Sequence, residues 1–256
     1  MTPPSLAEAL LATTLPEPAI VDRLERVHDS LLGQSRFIRQ PNFNSIHPQD
    51  LQFLFHAYDR GFFDGQFDEA PNGRTLDFRL SPRMTKAGGS TVRVRNLVTG
   101  QVTYEITIAS SLLFEGFGEH DRGVTVCGLE CSTRLHALQR IFEHELVHLG
   151  EQLCWGESSC SAARFQGIAA RWFLHRAHTH ALVTRRERAA EVGIHVGSTV
   201  SFQFEGRRLS GRVNRVTKRA SVLVADPGVV LYSDGSRYRT YYVPIRSLSL
   251  VAGNTG

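Results

Sequence analysis

The sequence predicts an α+β fold in which helices and a small antiparallel sheet are followed by a small all-β barrel of the SH3-like kind. Apolar residues recur at three- and four-residue spacing before residue 60 and again between residues 135 and 175. Alternating, strand-like segments lie between residues 76 and 108 and again after residue 193. With 256 residues, 41% of them hydrophobic, the chain can bury a sizeable core in one large domain or two smaller ones.

The first half of the chain contains three predicted helices and then three predicted strands. The first two helices cover residues 6–12 and 20–32. The third starts at about Pro48, covers residues 51–58 and ends where Gly61 and Gly65 let the chain turn. The strands cover residues 76–80, 90–98 and 102–108. Their connections contain Pro82, Gly88, Gly89 and Gly100, as short hairpins require, so this sheet is predicted to be antiparallel.

Two further helices and five short strands are predicted in the second half. The first helix carries leucines at helical spacing and stops at Gly156, and Ser158 or Ser159 is a predicted N-cap for a helix over residues 162–175. The strands cover residues 199–204, 211–216, 220–224, 238–243 and 247–251, which is typical of an SH3-like barrel. We therefore expect a helical segment at 1–50, a central domain at 51–183, a linker at 184–192 and the barrel at 193–256.

Positive charge is concentrated in the predicted barrel. Residues 193–256 have nine basic and three acidic residues, whereas the first 192 residues have 20 basic and 22 acidic ones. DNA or RNA is therefore a candidate partner, with phosphate contacts from basic side chains and base stacking on Phe202, Tyr238, Tyr241 or Tyr242. The candidate phosphate-binding residues are Arg212, Arg215, Lys218 and Arg219. The alternative is a solvated arginine-rich surface with the aromatic residues in the core.

The cellular setting is predicted from what the sequence lacks. There is no basic segment at the start of the chain and no run of 18 apolar residues, so we expect a soluble, cytoplasmic protein without a membrane partner. The four cysteines, Cys127, Cys131, Cys154 and Cys160, cluster in one region, which favours reduced thiols over a disulfide framework. Cys127 and Cys131 could form half of a metal site, but two core thiols are the favoured interpretation.

A His-Glu-x-x-His array lies in the leucine-bearing helix. His144 and His148 are one turn apart, so both imidazoles can reach a single metal ion. Glu145 lies beside them, where it could hold a water molecule, which is the arrangement used by metalloproteases. The alternative is an ordinary amphipathic helix whose polar residues face water.

Four stretches resemble the SprT-like zinc metalloprotease family: residues 58–63, 80–89, 104–109 and 142–149. The resemblance covers roughly residues 50–175 and implies a zincin-like domain with a catalytic Zn²⁺. In that family a third zinc-binding histidine usually lies four residues before an aromatic, and here Ser161 occupies that place before Phe165. The family also commonly ends in a cysteine-rich zinc ribbon, which this chain lacks.

Several residues could replace the missing histidine as the third ligand. Cys160 is adjacent to Ser161, and a thiolate near a helix N-terminus would make a His-His-Cys site with one open position. His175, His178 and His180 are alternatives, although in a simple helical hairpin His175 would lie about 10 Å too far along. Glu151 is also in phase with the motif, and the site could lack a third protein ligand.

These features predict a zinc-dependent metallopeptidase that hydrolyses peptide bonds in a protein or peptide substrate. Glu145 would take a proton from water and pass it to the leaving amine. The strand at 102–108 could receive an extended substrate, and one of His175, His178 and His180 could stabilise the oxyanion. The barrel, like the resemblance, implies recruitment to nucleic-acid-bound proteins. The alternative function is a non-catalytic nucleic-acid-binding protein with a structural zinc.

Overall fold

The computed structural model describes residues 5–69, 75–117, 124–181, 193–217, 219–229, 231 and 234–251. The chain divides into two compact units, Met1–Leu182 and Val183–Gly256. Residues from the predicted 1–50 segment, including Leu10 and Ile20, are buried in the core of the first unit. The predicted linker at 184–192 lies outside the described residues. Within those residues, no helix is both long and apolar enough to cross a membrane.

The first unit mixes helices with short strands, as the α+β prediction required. In chain order its elements are α1 (Leu6–Ala12), α2 (Glu17–Gln34), α3 (Pro48–Phe62), α4 (Gln66–Glu69), β1 (Thr75–Leu80), β2 (Gly89–Arg95), β3 (Val102–Ile108), α5 (Ser110–Gly116), β4 (Val124–Val126), β5 (Leu129–Cys131), α6 (Arg134–Trp155), α7 (Ala163–Phe173) and β6 (His180–Ala181). α2 begins earlier than predicted because Pro18 fits the first turn of a helix, where no backbone donor is needed, and α3 begins at Pro48 as predicted.

The sheet in the middle of the first unit is mixed, so the prediction of a small antiparallel sheet was wrong. β3 lies between the other two strands, antiparallel to β2 and parallel to β1. The strands do reverse direction in turn along the chain, but β3 enters between β1 and β2. Its buried Tyr104, Ile106 and Ile108 explain this central position, because they face the core. Alternation in sequence shows which face of a strand is buried but not which strands are neighbours.

The central position of β3 also corrects the prediction that residues 102–108 receive a substrate strand. Both edges of β3 are already paired, and an added strand needs an unpaired edge. Among the described residues, the outer edges of β1 and β2 have no partner strand in this sheet. Of these two edge strands, β2 contacts α6. In this contact Thr91 Oγ1 donates to a side-chain oxygen of Glu145 at 2.8 Å.

A second sheet, in the order β5–β4–β6, was not predicted because its strands have only two or three residues each. β4 and β5 are joined by Cys127 and Gly128, which have φ angles of 53° and 74°. Two successive positive φ angles in a two-residue hairpin are typical of a type I′ turn. The segment before β6 packs over this turn, since Arg176 N and Ala177 N both donate to Cys127 O at 2.9 and 3.0 Å. This pairing brings His180 back to α6.

α6 lies at the centre of the first unit. Thr133 caps its N-terminus, and Gly156, with φ 79°, ends it in the left-handed conformation. The predicted apolar stripe is buried, and so are Glu143, Glu145 and most of the polar face. The next helix begins at Ala163 without a side-chain cap, so the prediction that Ser158 or Ser159 caps it was wrong. Ser158 instead donates to a carboxylate oxygen of α6.

The second unit is an antiparallel sheet in the order β10–β9–β8–β7–β11. Its elements are β7 (Thr199–Phe204), β8 (Arg207–Val216), β9 (Ala220–Ala225), β10 (Tyr238–Val243), a 3₁₀ turn (Ile245–Ser247) and β11 (Ser249–Leu250). All five predicted strands form, and β8 begins four residues earlier than predicted. Within the described residues no pairing joins β10 to β11, so this five-stranded sheet is open at both ends.

Candidate metal centre

The two motif histidines face each other across one turn of α6. Their Nε2 atoms lie 3.2 Å apart, and Phe165 of α7 packs against both rings at centroid distances of 4.8 and 4.4 Å. His144 is buried, at 5% exposure, and His148 is partly buried. The face of α6 that carries the motif is therefore enclosed inside the unit. This excludes the alternative of an amphipathic helix whose polar residues face water.

Cys160 completes a three-residue group with these histidines. It lies in the segment between the end of α6 at Gly156 and the start of α7, and its Sγ and one nitrogen from each of His144 and His148 all lie within 4.8 Å of one another. Ser161, which takes the place of the histidine expected from the resemblance, is exposed and lies 3.0 Å from Ser159 through their hydroxyl oxygens. The structure thus brings Cys160, and not Ser161, to the imidazole pair.

A second group shares His144. Potential ligand atoms of Cys127, His144 and His180 also lie within 4.8 Å of one another. The rings of His144 and His180 are 4.7 Å apart, and His180 Nε2 is buried without a hydrogen-bond partner among the described residues. Of the three later histidines, His180 is therefore the one that the fold places beside the motif.

His175 and His178 have other surroundings. His175 Nε2 lies 2.9 Å from Glu143 Oε2, and Tyr58 donates to the other oxygen of the same carboxylate at 2.6 Å. Burial alone would raise the pKa of Glu143, but Arg140 and His175 outweigh burial and hold this pKa below its usual value. His178 is exposed, with its Nδ1 3.5 Å from Gln166. His175 therefore belongs to a buried ionic network that joins α3, α6 and the end of α7.

The hydrogen bonds of the histidines define their tautomers. Ser158 Oγ donates to Glu151 Oε2 at 2.6 Å, so it must accept the 2.7 Å bond from His148 Nδ1–H. Cys127 Sγ can donate to Arg140 O at 3.7 Å while it accepts from His144 Nδ1–H at 3.8 Å. Both Nε2 atoms then carry lone pairs that point at each other, an arrangement that a cation stabilises.

Glu151 acts on the histidine pair through Ser158. Its second oxygen accepts from Arg164 Nε at 2.6 Å, so both oxygens of this buried carboxylate are engaged. Glu151, one of the residues proposed as a third ligand, therefore orients the His148 ring through Ser158. Nothing in the helical spacing indicated this chain of contacts, because Ser158 and Arg164 come from the segment that follows α6.

Glu145 is enclosed by the start of β2. Thr91 Oγ1 lies 2.8 Å from its Oε2, and a Cβ atom added to Gly89 would lie 2.7 Å from its Oε1. Only glycine therefore lets β2 pass this close to the carboxylate. Burial raises the pKa of Glu145 to about 8, although the hydrogen bond from Thr91 opposes this change. A carboxyl group with this pKa can exchange a proton near neutral pH.

Sequence reasoning missed Thr91, Ser158 and the contact of Cys127 with His144. Thr91 had a detectable signal, because it follows the pair Gly88-Gly89, and a Cβ atom on Gly88 would lie 2.6 Å from His180 Nδ1. Adjacent glycines at the start of a strand indicate close approach of another group. The positions of Ser158 and Cys127 depend on turns that bring distant segments together, and neither has a sequence signature of its own.

Metal-free protein is expected to lose stability as the pH falls below about 6.5. Burial is the main cause that lowers the pKa of His144 to about 2 and that of His180 to about 4. Below the ordinary histidine pKa each histidine therefore removes about 1.4 kcal/mol of stability per pH unit, and protonation of Glu145, whose pKa is raised to about 8, offsets one of these two contributions. Denaturant unfolding between about pH 7 and pH 5 measures the slope. A free energy of unfolding that does not change over this range would contradict the prediction.

Comparisons with protein-family models, curated proteins and solved structures gave no match to this chain. The described residues hold two groups of histidine and cysteine that could bind a metal ion, both built on His144.

Proposed function

We propose that this protein is a zinc-dependent metallopeptidase whose Zn²⁺ is held by His144, His148 and Cys160. The observation that carries the proposal is the convergence of these three ligand atoms within 4.8 Å, next to the buried carboxylate of Glu145. Two imidazoles, one thiolate and an open fourth position form a donor set used by catalytic zinc. The zincin-like reading of the fold and the SprT-like resemblance are part of this proposal.

The donor geometry fits zinc. Two nitrogens bound to a tetrahedral zinc lie roughly 3.3 Å apart, and a nitrogen and a sulfur roughly 3.6 Å apart. The separation of 3.2 Å between the Nε2 atoms of His144 and His148 is close to the first of these distances. Soft thiolate and imidazole donors favour zinc over magnesium or calcium, which prefer oxygen. Zinc held at such a site supplies Lewis-acid polarisation of a carbonyl and acidifies water.

The residues of the chain then have separate roles in hydrolysis. Glu145 accepts the proton of the attacking water on a carboxylate oxygen and transfers it to the nitrogen of the leaving amine. Thr91 holds one oxygen of that carboxylate at 2.8 Å and so fixes its orientation. The Ser158 and Glu151 pair fixes His148, and Cys127 fixes His144. We assign donation to a developing oxyanion to His180, because its Nε2 is buried without a partner among the described residues.

The substrate would bind along β2. Its outer edge is unpaired within the described part of the sheet, and Thr91 connects this edge to Glu145. An extended peptide that adds to the edge gains main-chain hydrogen bonds with little dependence on side chains. This replaces β3, whose two edges are occupied, as the substrate strand.

Removal and return of the metal test the proposal. Chelator-treated protein is expected to lose the ability to cleave a reduced, carboxymethylated globular protein, and one equivalent of Zn²⁺ is expected to restore it. Bound zinc should also stabilise the fold, by about 2.7 kcal/mol at a free concentration 100 times the Kd. Cleavage that survives complete removal of metal, or failure to take up zinc under reducing conditions, would exclude this function.

A second proposed activity is nucleic-acid binding by the C-terminal unit, for which the SH3-like barrel is our interpretation of the five-stranded ladder. β8 has a register shift between Val213 and Arg215, so the extra residue Asn214 changes the alternation of side chains. Val213 and Val216 face inward, and both Arg212 and Arg215 are exposed on the outer face. Tyr242, at 67% exposure, lies on this face because it pairs with Ser221, the partner of Arg215.

The other candidate residues divide into two groups. Phe202 is buried and its ring contacts that of Tyr241 at a centroid distance of 5.4 Å, so these two aromatics belong to the core. Arg219 is exposed at the turn between β8 and β9, whereas Lys218 lies outside the described residues. The proposed interface therefore consists of Arg212, Arg215, Arg219 and Tyr242. Phe202 and Tyr241 are not part of it.

Replacing Arg212 and Arg215 with alanine is expected to weaken binding of single-stranded DNA about tenfold or more and to reduce the salt slope by about 1.4, since each phosphate contact contributes roughly 0.7. Fluorescence anisotropy over a salt series measures both quantities. Arg239→Ala is the matched control, because Asp226 already pairs with Arg239 at 2.8 Å. Wild-type protein whose binding does not respond to salt would contradict the interface.

The rival function is a non-catalytic nucleic-acid-binding protein with a structural zinc. Both functions predict bound metal, so metal content does not separate them. Proteolysis by the zinc-loaded protein, with and without DNA, does separate them, because only the metallopeptidase loses activity when Glu145 alone is changed.

A further inference from the structure

The edge strand beside the candidate metal centre belongs to a segment with charge of one sign. Residues 81–101 contain four basic residues and no acidic residue, whereas the rest of residues 1–182 contains 13 basic and 20 acidic residues. The four are Arg83, Lys86, Arg93 and Arg95, and all four side chains are exposed. Among the described residues none of them forms an ion pair, whereas Arg79 on β1 pairs with Glu105 at 2.7 Å.

The register of the sheet shows which backbone groups of β2 are free. Ala109 N donates to Gly88 O, and Asn96 N donates to Gln101 O, so the even-numbered residues of this segment bond to β3. In an antiparallel pair the intervening residues point their N–H and C=O groups away from the partner. The odd-numbered residues of β2 therefore present their peptide groups to the open edge. Gln152 confirms this direction, since its Nε2 donates to Thr91 O at 3.2 Å.

The same register places the side chains of two arginines on the face of the sheet that packs against α6 and Glu145. Arg93 pairs with Tyr104, which is buried, and Arg95 pairs with Val102, two residues further along. Paired residues point to the same face of a sheet, so both guanidinium groups leave β2 on the α6 side. They continue the line of Gly89 and Thr91, which contact Glu145. A peptide strand on this edge would meet the carboxylate first and the arginines two and four residues later.

We propose that the substrate which β2 receives is an extended, acidic polypeptide segment, with Asp or Glu at alternate positions beside the cleaved bond. The proposal rests on the peptidase function and adds the substrate class. Directly opposed residues on neighbouring strands lie about 4.5–5.5 Å apart, within reach of an ion pair. Arg83 and Lys86 extend the positive charge to the chain before β2. Thr91 O already accepts from Gln152, and the other edge N–H and C=O groups of β2 favour a polypeptide over a nucleic acid, which has no main chain that can extend a sheet.

The experiment is a positional scan with the zinc-loaded full-length chain. Pairs of ten-residue peptides differ only by Asp or Asn, at one position or at two alternating positions, and mass spectrometry measures the ratio of kcat/KM within each pair. We expect Asp to be favoured at alternating positions, by roughly three- to tenfold when two are combined, and the preference to fall as salt is added. The variant R93E/R95E should abolish or invert this preference, and R93Q/R95Q should abolish it without introducing negative charge. Arg36→Glu, at an exposed site outside the sheet, is the control.

A binding measurement separates this proposal from the peptidase function. Anisotropy of a labelled Asp-containing peptide on the Glu145→Gln variant reports docking without cleavage, and R93E/R95E in that background should weaken it by a similar factor. A single-stranded oligonucleotide of equal charge is the competing ligand. Equal cleavage of Asp and Asn peptides, or binding of the oligonucleotide but not of the peptide at Arg93 and Arg95, would overturn the proposal. Loss of all cleavage with arginine-dependent peptide binding intact would instead refute the peptidase function alone.

Discussion

Replacing Glu145 with glutamine is expected to lower the kcat for peptide hydrolysis by about 10²–10⁴-fold, the contribution of a positioned general base. Glutamine has nearly the same shape and can still accept the hydrogen bond from Thr91, but its amide cannot take a proton from water. Zinc content should be unchanged, because the three proposed ligands are untouched. Steady-state kinetics and metal analysis of the same preparation measure both results.

The control for this variant is Glu157→Gln, an exposed carboxylate in the segment after α6. It should leave kcat within a factor of about two, since surface substitutions seldom change a fold. Undiminished cleavage by pure Glu145→Gln protein would show that another group acts as the base. Loss of zinc together with activity would show instead that the substitution disturbs the metal centre.

The same variant has a predicted effect on the stability of metal-free protein. The pKa of Glu145 is raised to about 8 by burial, so the folded state binds a proton more tightly than the unfolded state, whose carboxyl titrates near 4.5. The carboxyl group therefore costs stability progressively as the pH rises from about 4.5 to about 8, by about 1.4 kcal/mol per unit. Without metal, Glu145→Gln should be more stable than wild type at pH 8, and the difference should vanish near pH 4.5.

Replacing Cys160 with alanine is expected to weaken zinc binding by more than about 100-fold, because loss of a residue that only orients a ligand costs 10- to 100-fold. Cobalt-substituted wild type should show a thiolate-to-metal charge-transfer band, and the variant should lose it. Cys154→Ala is the matched control, as Cys154 is another half-buried free thiol in the same region. Competition with a chromophoric chelator measures the affinity of each protein.

A different result would show that the metal ion is bound by the second group of histidine and cysteine residues. If Cys160→Ala keeps the ion and the charge-transfer band, and Cys127→Ala loses both, the ion is bound by Cys127, His144 and His180. His180→Ala would then weaken binding as well. With the ion at the proposed site, Cys127→Ala should reduce affinity only by the 10- to 100-fold of an orienting partner and should leave the band in place.

Local sequence pattern predicted most elements of the structure and half of the site. Val102–Ile108 and Thr199–Phe204 have the predicted bounds, because alternation over six or seven residues reports burial on one face. His144 and His148 follow from helical spacing alone. Cys160 was preferred for its chemistry and its place before the aromatic Phe165, and the fold brings its sulfur to the histidines.

The remaining features depend on contacts between segments far apart in the chain. His180 returns to α6 through a two-residue strand, and Thr91 meets Glu145, 54 residues later, because β2 lies at the sheet edge. The number of residues between two strands does not determine their order in a sheet. The order depends on how all the strands are buried together in the folded unit. Short polar residues such as Ser158 acquire partners only after the helices have packed.

The sequence by itself determined most of the secondary structure, the concentration of basic residues near the C-terminus and the imidazole pair, since each depends on neighbours within one or two helical turns. Tertiary structure decided which strand edges lack a partner among the described residues, which thiol approaches the histidines and which carboxylate is buried. Those outcomes require side chains from separate elements to share one volume, and the free energy that selects among them comes from packing and desolvation, which no local pattern contains.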